Sequence, residues 1–235
     1  METASTLFVL RKVWVFQMQS KSQRDFLTQA SENYESLLAG SPAEEYLEAR
    51  GIPLQAAVTS RLGYVDEAVP GHDMYKGMLC IPYWSVHGGV VAVKFRVIDD
   101  RPGSRYLWPP GQRSHLYNVS SCVSGEPYIV VCEGELDTCV ASSVAGLNAV
   151  GIAGVSHWKP HHPSVLHGFR DVFVVTDNDD KEDGSNPGQD LARKIITDLP
   201  HARNVSLPKG NDISDFVHQN GKEALTSLLG LSTAA

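Results

Sequence analysis

Apolar positions follow helical spacing through the first third of the chain and change to alternation and short solid runs after residue 78. Over residues 22–38, Phe26, Ala30, Tyr34, Leu37 and Leu38 form one stripe that Gly40 ends, predicting an amphipathic helix. Ser41-Pro42-Ala43-Glu44 supplies a capping hydroxyl, a proline at the first helical position and a glutamate three residues on. A second helix therefore opens there and runs to Gly51, and Pro53 starts a third toward Ser60. Residues 79–83 and 90–98 are rich in β-formers, and His87-Gly88-Gly89 between them predicts a hairpin. Strand and helix then alternate: strand 128–132, helix 136–145, strand 149–152, a buried strand within 171–176, helix 189–199, strand 204–207, and helical segments around 213–218 and 222–229. That alternation predicts an α/β fold with an open parallel sheet and helices on its faces. In such sheets ligands bind beyond the carboxyl ends of the strands. Residues 7–17 are apolar but carry Arg11 and Lys12, with no small-residue cleavage site after them. They read as a strand or an irregular start rather than a secretory signal.

The 235 residues are 42% apolar and 20% charged, enough for a hydrophobic core in one large domain or two small ones. No stretch approaches the ~20 apolar residues of a membrane span, so the expectation is a soluble, cytoplasmic protein with no membrane partner. A formal net charge of −7 argues against a protein that simply coats nucleic acid by its phosphates. Charge is uneven, however, and residues 84–118 carry a local +3. Within them Lys94 and Arg96 are two apart on a strand and project from one face. Tyr106 and Trp108 have the same relation, and Arg105 adjoins them. Cations beside aromatic rings predict a nucleic-acid groove, where phosphates meet the charges and bases stack on the rings. Cys80, Cys122, Cys132 and Cys139 are scattered without a CxxC pair, so neither structural zinc nor a disulfide framework is expected. His157, His161, His162 and His167 lie close in sequence, but Pro160 and Pro163 break any regular face, and they read as surface histidines.

The acidic residues fall where the sheet would place a ligand. Glu133 follows the first parallel strand, Gly134 allows a tight exit, and Asp137 comes four residues later. Asp177 and Asp179 follow the long buried strand, in a segment 177–183 with a local charge of −4. Lys209-Gly210-Asn211-Asp212 brings a further acid after the last strand, with Asp215 behind it. Taken alone, a D-x-D motif also fits a solvated loop, a Ca²⁺ site or a sugar-nucleotide site. Three acidic strand ends in one sheet favour divalent cations, because converging carboxylates repel one another without them. Mg²⁺ takes oxygen ligands from a few carboxylates and substrate phosphates, and a metal pair suits phosphoryl transfer.

At Glu133-Gly134-Glu135-Leu136-Asp137, Asp177-Asn178-Asp179 and Gly210-Asn211-Asp212 the chain resembles the TOPRIM domain shared by primases, topoisomerases and related nucleases. Upstream, Tyr46-Leu47-Glu48-Ala49-Arg50-Gly51-Ile52 and the basic β segment look like the catalytic core of bacterial and phage DnaG-type primases. The resemblance implies residues 1–40 as an N-terminal segment, 41–125 as a small basic α+β subdomain and 126–235 as a TOPRIM domain. It implies catalytic roles for Glu133, Asp177 and Asp179, and metal ligation by Glu133, Asp137, Asp177, Asp179 and Asp212. Lys94, Arg96 and Arg105 would hold template or nucleotide phosphates. The implied cofactor is Mg²⁺ or Mn²⁺, two ions or more. The implied partners are single-stranded DNA template and ribonucleoside triphosphates, with a zinc-binding module on another polypeptide and a replicative helicase. The implied reaction is DNA-templated synthesis of short RNA primers. A metal-dependent TOPRIM nuclease and a non-catalytic replication or recombination mediator are the alternatives.

Overall fold

The computed structural model describes residues 19–231, so the apolar segment 7–17 lies outside the described residues. Two four-stranded sheets organise the chain. Helix α1 (Lys21–Ser36) opens on a Ser20–Gln23 capping box. Helix α2 (Pro42–Glu48) follows Ser41, whose hydroxyl accepts from the Ala43 and Glu44 amides. The predicted reciprocal bond is displaced by one residue: Glu44 Oε2 accepts from the Gly40 amide. Helix α3 (Leu54–Thr59) leads to an antiparallel sheet of β1 (Gly63–Tyr64), β2 (Leu79–Trp84), β3 (Val90–Arg96) and β4 (Tyr106–Leu107), in that spatial order.

The second half contains β5 (Tyr128–Cys132), α4 (Glu135–Cys139), β6 (Ala149–Gly151), α5 (His162–Leu166), β7 (Asp171–Val175), α6 (Pro187–Asp198), β8 (Ala202–Asn204), α7 (Ile213–Asn220) and α8 (Lys222–Leu228). The strands are parallel in the order β6-β5-β7-β8. The α/β class and parallel sheet read from the sequence are thus present, with two local corrections. The last strand spans Ala202–Asn204 instead of 204–207, because its pairing with β7 joins Val172 to Ala202 and Val174 to Asn204. The predicted helix 136–145 is α-helical only to Cys139 and then widens into a π-turn over Val140–Val144, closed by the Ala145 amide on the Val140 carbonyl.

Both faces of the antiparallel sheet are covered. Leu27, Ala30 and Tyr34 of α1 pack on Val90, Val93 and Phe95. The approach is close enough that a Cβ on Gly63 would lie 2.5 Å from the Tyr34 carbonyl carbon, so a side chain there would displace the helix. The opposite face, with Leu79, Ile81, Tyr83 and Ala92, shares one core with α2, α3 and the parallel strands through Val130, Cys132, Phe173 and Val175. Lys94 and Arg96 pair with Ile81 and Leu79 across the ladder and so point toward the second sheet, away from bulk water. The far face of the parallel sheet packs against Leu191, Ala192 and Ile195 of α6. Among the described residues no helix is long and apolar enough to cross a membrane.

Candidate active site

Three loops at the carboxyl ends of the parallel strands carry the acids. The loop after β5 is fixed by the Gly154 amide on the Glu133 carbonyl, 3.1 Å, and by Thr138 Oγ1 on the Gly134 carbonyl, 2.6 Å. Asn178, between the two aspartates of the D-N-D sequence, ties the loop after β7 to the loop after β8. Its amide donates to the Asn211 carbonyl, its Nδ2 donates to the Leu207 carbonyl at 2.6 Å, and its carbonyl accepts from Gly210. The Asp177 amide donates to Glu133 Oε2 at 3.3 Å. Gly188 at the start of α6 sits against this junction, where a Cβ would come within 2.3 Å of the Asp177 carbonyl oxygen and 2.8 Å of Glu133 Oε2.

Glu133, Asp137, Asp177 and Asp212 line one pocket of about 250 Å³, and Arg50, Lys94, Arg96 and Tyr106 form its other wall. Burial and then mutual repulsion push the acids toward the protonated form. The Glu133 carboxyl rises to about 7, chiefly by burial and then through Asp137 and Asp179. Asp177 also rises to about 7, by burial and then by its neighbours Glu133 and Asp212. Asp137 is raised well above the usual carboxylate range by burial and by Asp212 and Asp177. Asp212 is raised by burial, and contacts with the Asp215 amide, Arg50 and the Ser214 amide oppose that shift. It caps α7 by accepting from the Asp215 amide at 2.7 Å, and it meets Arg50 Nη2 at 3.2 Å.

The basic wall is paired. Lys94, 4% exposed, places Nζ 2.7 Å from Glu135 Oε1 and 3.2 Å from the Ala153 carbonyl. Glu135, 1% exposed, also accepts from the Tyr83 hydroxyl. Lys94 Nζ lies 4.2 Å from the Tyr106 ring centroid, a cation–π contact. The Arg96 guanidinium donates to the Tyr46 and Tyr106 hydroxyls.

The sequence-predicted residues therefore divide. Glu133, Asp137, Asp177, Asp212, Lys94 and Arg96 share the pocket. Asp179 is not among its lining residues; its carboxylate pairs with Lys181 at 2.5 Å, though it is near enough to raise Glu133 and Asp177. Arg105 is exposed and its guanidinium holds the Asp99 carbonyl at 2.8 Å, outside the pocket. Asp215 is exposed and serves the α7 cap through its amide. The histidines do not gather on one surface. His162 is buried, its Nδ1 accepting from the Lys159 amide at 3.2 Å, whereas His167 stands beside His201. The reading of His162 as a surface residue is thereby corrected, since its ring packs against Trp158.

Arg50 and Glu135 are pocket residues to which sequence reasoning assigned no role. Arg50 stands in the motif that carries the resemblance, yet its partner Asp212 is 162 residues away. Glu135 stands between Glu133 and Asp137 in sequence, and only the approach of β2 and β3 gives it partners.

Among the described residues, no three His, Cys, Asp or Glu side chains come close enough to enclose a metal ion unaided. The donor chemistry nonetheless suits a hard divalent cation: the acids present only carboxylate oxygens, and they are held together at an electrostatic cost. Mg²⁺ is commonly held by one or two carboxylates with waters and substrate phosphates completing its shell.

The Toprim domain family matches residues 128–223. The gene 57 protein of Mycobacterium phage D29 is 34% identical over 157 residues, covering 65% of this chain and 97% of that protein. The DNA primase of Listeria monocytogenes is 25% identical over 193 residues, covering 76% of this chain; the chain spans 30% of that primase's length. The crystal structure of the Aquifex aeolicus primase, comprising its zinc-binding and RNA polymerase domains, matches with a TM-score of 0.73 at 21% identity. That match covers 90% of this chain and 62% of the other, and it is a likeness of fold.

Proposed function

Because the chain belongs to the TOPRIM family and has the fold of the DnaG-type primase catalytic core, we propose that it synthesises short RNA primers on single-stranded DNA by metal-dependent nucleotidyl transfer. The observation that carries this reading is the pocket itself, where Glu133, Asp137, Asp177 and Asp212 face Arg50, Lys94 and Arg96 across about 250 Å³. A triphosphate needs both walls: cationic side chains for its oxygens, and acids that retain the cation it brings.

In this mechanism the 3′-hydroxyl of one ribonucleotide attacks the α-phosphorus of the next. The hydroxyl gives its proton to solvent water, a new O–P bond forms, the bond to the bridging α–β oxygen breaks, and pyrophosphate leaves. Glu133, Asp137, Asp177 and Asp212 are the residues that would hold Mg²⁺ or Mn²⁺, and Asp179 is proposed as an outer member of the set. The bound cations supply a lowered hydroxyl pKa and neutralisation of the leaving group. The chain's own groups orient the reactants. Arg50 reaches the acids from α2–α3 and is the cation nearest Asp212, suited to bind a phosphate that displaces this contact. Arg96, aimed by the Tyr46 and Tyr106 hydroxyls, presents a fixed charge to anionic oxygens, and Lys94, held by Glu135, is proposed to add to the phosphate wall once a bound anion competes for that contact. Arg105, exposed at the edge of the antiparallel sheet, is proposed to meet the template backbone farther out.

The division into residues 41–125 and 126–235 is likewise proposed as functional, the first part holding phosphates and the second holding metal. A zinc-binding module and a replicative helicase are proposed partners. Incubation with single-stranded DNA, labelled ribonucleoside triphosphates and Mg²⁺ or Mn²⁺ tests the reading, with template-dependent oligoribonucleotides as the expected product. Strand cleavage without synthesis would replace it with a nuclease. Binding insensitive to EDTA, with neither product, would replace it with a mediator.

A further inference from the structure

A second cavity, of about 350 Å³, shares no lining residue with the acidic pocket. It lies where the end of α3, strand β2, the segment around Asn118 and the π-turn after α4 meet, and its volume falls in the ~300–1,000 Å³ range of small-molecule sites. We infer that this cavity takes one unstacked nucleobase of a nucleic-acid strand. The inference rests on the nucleic-acid reading above and extends it to a part of the molecule that the chemistry does not use.

The backbone at this site is unusual. Arg61 (φ 55°) and Asn118 (φ 56°) are the two non-glycine residues with positive φ among the described residues, and both line the cavity. Arg61 follows the end of α3 in the position that closes the helix: its amide donates to Val58 and the Leu62 amide donates to Ala57. Glycine is the residue preferred there, so a bulky side chain is kept at a conformational cost. Its guanidinium carbon lies over the Trp84 indole, 3.5 Å from the ring centroid. The π-turn brings Ser142 and Ser143 to the opposite wall, and Ser143 Oγ meets Ser60 Oγ at 2.9 Å.

These groups select a class of ligand. Arg61 is the one charged residue lining the cavity, and Glu35 and Glu32 already balance it at 3.0 and 3.6 Å. A phosphate therefore gains little net attraction. A planar, neutral ring gains a face, because guanidinium and indole planes stack on bases. Ser142 and Ser120 already donate to the Thr138 carbonyl and to Asn118 Oδ1, so their oxygens remain as acceptors for a base N–H, and the Ser60–Ser143 pair keeps one free donor. Trp84 is also a lining residue of the cavity, so its indole reports on what enters. Nucleosides and strands share this chemistry, and the test separates them.

A single-stranded 12-mer carrying one 5-iododeoxyuridine is irradiated with the full chain, and crosslinked peptides are mapped. The expected result is a crosslink in the peptide containing Trp84. Arg61→Gly restores the residue the helix end prefers, so it folds, and Ser120→Phe fills the cavity from an exposed position. Each lowers that crosslink about fivefold or more, the low end for one stacked base, and Arg61→Lys does not restore it. Crosslinks that map elsewhere, or a yield unchanged in both variants, overturn the inference while leaving the primase reading intact. Should the 12-mer not bind at all, the primase reading falls, and free deoxyadenosine and thymidine then decide the cavity. A shift of the Trp84 indole NMR signal, assigned with Trp84→Phe, supports a base site for free nucleosides; no shift at millimolar concentration ends it.

Discussion

The two walls of the acidic pocket treat charge in opposite ways. On the parallel-sheet side, Glu133, Asp137 and Asp177 are crowded, and burial with mutual repulsion raises their pKa values. On the antiparallel side, Lys94 is saturated by Glu135, the Ala153 carbonyl and the Tyr106 ring, and Arg96 by two tyrosine hydroxyls. The acids are therefore a standing demand for positive charge, whereas the bases also serve to hold the two sheets together. Substitutions should then fail differently: the acids in activity, the buried Lys94–Glu135 pair in stability.

The largest effect is expected from the acids. Asp177→Asn and Glu133→Gln should lower primer synthesis by about 10²–10³-fold, the scale of losing one electrostatic contact to a transition state. Their melting temperature at pH 8 should be no lower than that of the parent, because each removes a repelling charge. Lost synthesis accompanied by unfolding in thermal melts would erase the contrast between the walls.

Next is Glu135→Ala, which strands Lys94 in a buried site. Breaking one member of a buried pair costs about 3–5 kcal/mol, while replacing both partners with apolar residues is often neutral. Glu135→Ala should thus lower the denaturant midpoint strongly, and the Lys94→Met/Glu135→Leu double variant should regain most of it. A single-variant loss below about 1 kcal/mol would mean that the pair behaves as a surface bridge.

The acids should also make stability depend on pH in a stated direction. Glu133 and Asp177 titrate near 7 in the folded chain, above the ordinary carboxylate range near 4. Groups with a raised folded pKa stabilise the fold fully below the unfolded value and lose that contribution as pH rises through the folded one. In EDTA, stability should therefore fall between about pH 4 and pH 7, and Mg²⁺ should recover it above pH 7. A flat melting profile across that range in EDTA would contradict the crowding of the acids.

Smaller effects separate the pocket cation Arg50 from the outlying Arg105. Arg50→Ala should weaken nucleotide binding by about tenfold, the scale of a hydrogen bond to a charged group, with a reduced salt dependence in titration calorimetry. Arg105→Ala should change stability by less than about 0.5 kcal/mol, as exposed substitutions usually do, and should only modestly weaken template binding. If Arg105 matters more than Arg50, the phosphate path follows the sheet edge instead of the pocket.

Much of the fold could be read locally. The helical stripe over residues 22–38, Ser41 with Pro42, and the solid run Val172-Phe173-Val174-Val175 each announce an element through their neighbours alone, and the structure contains α1, α2 and β7 there. The final strand was misplaced because residues 204–207 have β composition, but the ladder with β7 selects Ala202–Asn204. The π-turn after Cys139 is not legible in periodicity, because the five-residue segment Val140–Val144 is too short to show a change of period. For the site, the acids are visible because they fall in the segments after three parallel strands. Their division into pocket-lining Asp177 and outlying Asp179 is not, because it turns on which side of the loop Asn178 anchors.

By itself the sequence determined the element types, the parallel order of a βα alternation and the carboxylates at its strand ends, since these follow from periods of two or 3.6 residues and from adjacent turn chemistry. Tertiary structure alone decided the pairings across the pocket. Glu135 finds Lys94 across 41 residues and Arg50 finds Asp212 across 162. Such partners are chosen by how two sheets and a helical module pack around one core, and the choice leaves no trace in the spacing of either residue's neighbours.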